Sequence, residues 1–184
     1  MQLTGQNYIA GVTSAEGTET FVSIDPRTKA QGDVQFYNAT SAEIDRAVTM
    51  AVDAFKQTRT YSASKLADFL DEVANQIEAL GDELLEVADM ETGLGLPRLT
   101  GERGRTTGQL RAFGSLLREG SYVRAIIDTE PNIRQMLFPI GPIAVFSASN
   151  FPFAFAVAGG DTASAFAAGC PVVVKAHPGH PATS

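Results

Sequence analysis

Two polar side chains punctuate otherwise uncharged stretches. Asn150 interrupts "VFSASNFPFAF", directly before Phe151 and Pro152, and Lys175 closes "PVVVKA". A side-chain amide can donate to a developing oxyanion, a contact worth about 3 kcal/mol in preorganised sites. An ammonium can hold a ribose or phosphate oxygen. Each also has a plainer account. Asn150 can open a helix as an Asx-type start with Pro152 in the first turn. Lys175 can be a surface lysine whose stem lies along an apolar strand. His177 and His180 have an H-x-x-H spacing, but no neighbouring acid or thiol completes a metal site, so no metal is expected. Cys170, in "AAGCPVVV", precedes a strand and reads as a buried or turn thiol rather than a nucleophile. Glu91, in "METG", reads as a helix end without chemistry.

These residues need elements to position them. "GPIAVFSAS" and "PVVVKA" are uniformly apolar runs of strand length, and "FAFAVAGGDTASAFAAG" between them is Ala-rich and apolar all round. Strand, helix, strand with both strands apolar is the pattern of a βαβ unit in a parallel sheet covered on both faces. Ligands bind beyond the carboxyl ends of such strands, which is where Asn150, Lys175 and His177 fall. The Gly159-Gly160 pair is expected inside that helix, packed closely on the sheet; neither G-x-G-x-x-G nor a Walker A motif is present.

Upstream, the pattern is mostly helical. "NYIAGVTSAEGTETFVSIDP" reads as two short strands ending at Asp25-Pro26. Ile44, Ala47, Val48, Ala51 and Phe55 follow helical spacing after a Thr40/Glu43 capping box. Leu66, Phe69, Leu70, Val73, Ile77 and Leu80 form a second stripe, with Gly81 placed to cap it. A third helix stops at Gly93, and a long fourth follows Pro97. Its glycines, Gly101, Gly104, Gly108 and Gly114, each cost about 1 kcal/mol relative to alanine and predict close packing. "SYVRAIID" and "NIRQMLF" then alternate as two strands of a hairpin.

The totals narrow the class. Fourteen basic against twenty-one acidic residues leave a net charge of −7, which argues against a nucleic-acid surface. One cysteine in 184 residues allows no intramolecular disulfide and suits a reducing cytoplasm. The N-terminus has no signal-peptide pattern. Residues 135–160 carry no charge, but Pro139, Gly141, Pro142, Asn150 and Pro152 interrupt them, so no membrane span is expected.

"GPIAVFSASNFPFAFAVAGGDTASAFAAGCPVVVKAHPGHP", with "METGLGLPRLTGERGRTTGQLRAFGSLLREGSYVRAIID" before it, resembles the aldehyde dehydrogenase superfamily. The branch it is most similar to includes α-ketoglutarate semialdehyde dehydrogenases and NADP-dependent fatty aldehyde dehydrogenases. The resemblance implies an α/β fold: part of a doubly wound, Rossmann-like parallel-sheet cofactor domain. On this reading residues 1–120 supply N-terminal strands and helices, 121–138 an oligomerisation arm, and 139–184 the first βαβ unit. It also implies the chemistry. A cysteine thiolate attacks the aldehyde, hydride passes to NAD(P)+, and water assisted by a glutamate releases the acid. Asn150 would be the oxyanion donor and Phe151 a wall of the substrate tunnel. Ser147 and Ala148 would meet the cofactor through their backbones, and Lys175 would hold its ribose or 2′-phosphate. A homodimer or tetramer is implied.

Two departures shape the expectation. NAD-preferring members carry a glutamate three residues after the lysine; here Pro178 stands there, so NADP is favoured, with NAD possible and His177 or His180 as helpers. The family's nucleophilic cysteine, general-base glutamate and phosphate loop have no match in these residues. The chain is therefore expected to be the N-terminal part of such an enzyme and inactive alone, with a short non-catalytic homologue as the alternative. Arg103, Arg105, Gln109 and Arg111 are candidate anchors for a carboxylate-bearing substrate, against the simpler account of solvated surface arginines.

Overall fold

The computed structural model of the chain describes residues 3–184. The N-terminal strands form two antiparallel pairs: β1 (Asn7–Ile9) with β2 (Val12–Ser14), and β3 (Thr20–Ile24) with β4 (Gln31–Tyr37). Where two strands were expected up to Pro26 there are three, and β4 is additional. Its polar start, Gln31-Gly32-Asp33, hides the alternation. Gly32 leaves room there for Ser23 on the partner strand: a Cβ would stand 2.4 Å from its hydroxyl, so that side chain would have to move.

Helix α1 (Ser41–Thr58) starts at the expected capping box. Glu43 has no solvent-exposed surface and does more than cap. It accepts from the Thr40 backbone N–H at 2.9 Å and from the Ser14 hydroxyl, tying α1 to β2. The Ser14 hydrogen bond is the largest cause holding its carboxyl at about 2. A depressed carboxylate contributes stability above its unfolded pKa and loses it as pH falls toward the folded value. Acid titration of folding should therefore show Ser14→Ala unfolding at higher pH than the unmodified protein. An unchanged acid midpoint would remove Glu43 from the account.

The α1 stripe departs from expectation. Ala51 is buried and Ala47 and Phe55 are half-buried, but Ile44 and Val48 remain 51% and 47% exposed. The helix packs on β1 and on strand β8 (Val172–Lys175), and the described residues place nothing over its other apolar positions. Helix α2 (Ala63–Ala79) buries Leu70 and half-buries Leu66, Val73 and Ile77, while Phe69 and Leu80 stay exposed. Gly81 takes a left-handed conformation between α2 and α3 (Gly81–Thr92), and Gly93 ends α3 in the same way.

Helix α4 (Leu96–Glu119) is the long fourth helix and packs mainly along α2. Leu70, Leu110, Leu117, Ala67 and Ala74 form one apolar cluster with Ala163 and Ala167; Leu84, Leu85, Ala88 and Leu99 form a second with Phe153. The close-packing expectation holds only for Gly114, where a Cβ would lie 3.0 Å from Asp71 and 3.4 Å from the Ala67 carbonyl. At Gly101, Gly104 and Gly108 a Cβ would meet nothing within 4 Å.

After a single 3-10 turn at Ser121–Val123, where strand was expected, β5 (Ile126–Asp128) and β6 (Ile133–Gln135) form the hairpin, exposed along both strands. Strand β7 (Ile143–Phe146) then pairs in parallel with β8, joined through α5 (Gly160–Ala167). The βαβ unit is as expected, but the sheet is not covered on both faces: Phe146 is 74% exposed. Helix α5 also begins later than the sequence suggests. Residues 151–159 are turns because the chain folds back on itself there. Gly160 N–H donates to the Ala154 carbonyl at 2.9 Å, and a Cβ on Gly159 would sit 2.5 Å from that oxygen. The glycine pair thus opens α5 rather than lying inside it.

Candidate active site

The parallel register sets Phe146 opposite Lys175, and Ser147 N–H donates to the Lys175 carbonyl at 3.1 Å. Both loops that leave the sheet therefore start from one edge. Asn150 is exposed on the first, in a bend rather than at a helix start, so the Asx-type account does not hold. Its carbonyl accepts from Arg98 Nη2 at 3.0 Å, while its amide bonds to none of the described residues. Phe151 beside it is half-buried, its ring edge-on to Phe155 at 5.2 Å. Ser147 is buried, with a hydroxyl that has no hydrogen-bond partner among the described residues. Ala148 donates to the Phe155 carbonyl at 2.8 Å, and its own carbonyl lies 2.9 Å from His180 Nε2.

On the second loop Lys175 is exposed. His177 accepts from Gly179 N–H through Nδ1 at 3.0 Å and stacks on His180 with ring centres 5.5 Å apart. Burial, and then the neighbouring His180 and Lys175, lower its pKa below that of a free imidazole. His180 has no solvent-exposed surface and bridges the two loops through Ala148. It ties the two loops together. No group of three potential metal ligands occurs among the described residues. Cys170 is buried at the amino end of β8, away from Asn150 as expected, with its N–H bonded to the Ala165 carbonyl at 2.9 Å.

What holds this edge in place was not legible in the sequence. Arg98, Glu102, Arg105 and Gln109 recur at i, i+4, i+7 and i+11, which sets them along one face of α4. All four meet the 150–160 segment. Arg98 binds the Asn150 carbonyl, and its guanidinium lies 5.0 Å from the Phe151 ring centre. Glu102, 6% exposed, accepts from Phe153 N–H at 2.9 Å and Ala154 N–H at 3.0 Å. Arg105 lies over Phe155 and Phe151. The Gln109 amide is 3.0 Å from where a Cβ on Gly160 would be. A second buried acid serves the other loop. Glu91, 3% exposed, accepts from Ala182 N–H and Thr183 N–H at 2.8 Å and from the Thr183 hydroxyl at 2.7 Å. Burial pushes its carboxyl above the ordinary range, against those donors, which pull it down. Glu91 lies at the end of α3, as expected, and in addition secures the loop that carries His177 and His180. The remaining substrate-anchor candidates are committed elsewhere, Arg103 to the Gly81 carbonyl and Arg111 to Glu78 and Asn75.

A parallel βαβ unit with two tethered loops at its carboxyl edge defines an α/β protein of the cofactor-binding kind. The aldehyde dehydrogenase family model matches residues 12–184, and the chain belongs to that family. It is 48% identical to an alpha-ketoglutaric semialdehyde dehydrogenase of Acinetobacter baylyi, over 98% of this chain and 36% of that protein. It is 46% identical to alpha-ketoglutaric semialdehyde dehydrogenase 2 of Azospirillum brasilense, over 100% of this chain and 37% of that protein. Among solved structures, betaine aldehyde dehydrogenase of Staphylococcus aureus superposes with a TM-score of 0.87 at 20% identity, over 98% of this chain and 36% of that one. An NADP dependent enzyme of E. coli gives 0.82 at 23% identity, over 98% and 37%. These two likenesses establish the fold. The chain spans a little over a third of the length of the curated relatives it matches. No helix among the described residues is long and apolar enough to cross a membrane.

Proposed function

We propose that this chain supplies the oxyanion amide and half of the cofactor edge of an enzyme that oxidises α-ketoglutarate semialdehyde to α-ketoglutarate with NADP+. The observation that carries the reading is the placing of Asn150 and Lys175 at one edge of a parallel pair, in a chain 48% identical to a relative named for that activity. Asn150 has the geometry for its role: the backbone is pinned on both sides while the amide stays unspent. The cofactor fits the edge on two counts. The Lys175 ammonium forms no ion pair among the described residues, and the Ser147 hydroxyl is buried without a partner. Lys175 would hold the ribose or 2′-phosphate, Ser147 and Ala148 would line the backbone beneath it, and Phe151 would face the aldehyde. The cofactor, when bound, accepts the hydride. Pro178 brings no carboxylate against a 2′-phosphate, and His177 stands beside it.

Steady-state kinetics on the product of the complete open reading frame test the cofactor. The kcat/KM for NADP+ should exceed that for NAD+ by about tenfold or more. Lys175→Gln should lower the NADP+ value about 10- to 100-fold, the scale of one lost charge-assisted hydrogen bond. A strong preference for NAD+ overturns this part of the reading. The exposed β5–β6 hairpin, with Ile126, Ile127, Ile133, Leu137 and Phe138 outward, suits a homodimer or tetramer, in keeping with an oligomerisation arm at 121–138 between 1–120 and 139–184. The single free thiol suits a cytoplasmic setting.

A further inference from the structure

Of the arginines along α4, Arg105 alone spends its guanidinium on no hydrogen bond or ion pair among the described residues. Arg98 is used by the Asn150 carbonyl, Arg103 by the Gly81 carbonyl, Arg111 by Glu78, and Arg118 by Asp68 and Asp71. The guanidinium carbon of Arg105 lies 5.1 Å from the Phe155 ring centre and 5.7 Å from that of Phe151. Two aromatic faces hold the fork in place while leaving its N–H edge unoccupied. The nearest acid on the same face, Glu102, is turned into the backbone of Phe153 and Ala154 and does not pair with it. An unneutralised, oriented cation therefore stands against the same turn that carries the Asn150 amide.

We propose that Arg105 anchors the distal carboxylate of the aldehyde substrate and so selects ω-oxo acids over uncharged aldehydes. This rests on the substrate reading above, because it requires a substrate with a carboxylate at the end away from the aldehyde. A planar fork binds a carboxylate through two parallel N–H···O bonds, which a lysine cannot reproduce. Arg98, bound to the Asn150 carbonyl, is not free for this task, but it adds positive charge on the same side of Phe151.

The test compares kcat/KM for α-ketoglutarate semialdehyde and for pentanal in the product of the complete open reading frame, unmodified and with Arg105→Gln or Arg105→Lys. The ratio of the two values should fall about a hundredfold in Arg105→Gln, mainly through KM of the acidic substrate, and about tenfold in Arg105→Lys. Arg105 is exposed, and the lysine variant keeps its charge and most of its bulk, so it carries the test if the glutamine variant is unstable. A ratio unchanged by both substitutions overturns the proposal while leaving the substrate reading intact. An unmodified enzyme that shows no preference for the acidic aldehyde overturns both.

Discussion

Replacing Asn150 by alanine in the product of the complete open reading frame should lower kcat about 10²- to 10³-fold and leave stability within about 0.5 kcal/mol. The two halves of that expectation come from the same geometry. The Asn150 side chain is exposed and bonds to none of the described residues, so its loss opens no cavity and strands no partner. Its backbone carbonyl, which alanine keeps, retains the Arg98 contact at 3.0 Å. An amide held by a fixed backbone and otherwise idle contributes only when an oxyanion forms beside it, and removing it costs transition-state binding rather than folding. Pre-steady-state rates of reduced-cofactor formation, with thermal unfolding of the same preparations, give both numbers. A variant that keeps near-normal kcat would remove Asn150 from the chemistry. One that loses activity only by unfolding would make it a structural residue.

The second large effect belongs to Glu102. Its Oε1 accepts both Phe153 and Ala154 N–H, while Oε2 has no hydrogen-bond partner among the described residues. Glu102→Leu leaves two buried donors without an acceptor, at about 1–3 kcal/mol each, so a loss of about 2–6 kcal/mol is expected. Glu102→Gln keeps the oxygen that both donors use and should cost about 1 kcal/mol or less. Denaturant unfolding measures both. Equal losses in the two variants would show that the charge, rather than the acceptor, holds the turn.

These effects mark where sequence and structure part. The capping box of α1, the stops at Gly81 and Gly93, and the parallel β7–α5–β8 unit were legible because each rests on local chemistry or periodicity. The position of Asn150 and Lys175 at one edge of the parallel pair followed from strand direction, and the family from the residues around them. The late start of α5 was not legible. The Ala-rich, uniformly apolar run around "FPFAFAVAGG" reads as buried helix, but Glu102 accepts from the Phe153 and Ala154 backbone N–H groups and holds the segment as a turn. The polar stripe of Arg98, Glu102, Arg105 and Gln109 looks like a solvated helix face until the 150–160 segment is laid on it. Glu91 was invisible for a like reason, since its partners Ala182 and Thr183 are remote in sequence. The exposed Ile44 and Val48 show the converse: a helical stripe signals an apolar face, but not what covers it.

The most direct test of the central claim is reduced-cofactor formation from α-ketoglutarate semialdehyde and NADP+. It should be measured side by side on the product of the complete open reading frame and on the purified 184-residue chain. The chain carries Asn150, the proposed oxyanion donor, and its only thiol, Cys170, is buried at the opposite end of the strand pair. Turnover by the complete product and none by the 184 residues is the predicted result. Turnover by the chain alone, or none by the complete product, would contradict the account.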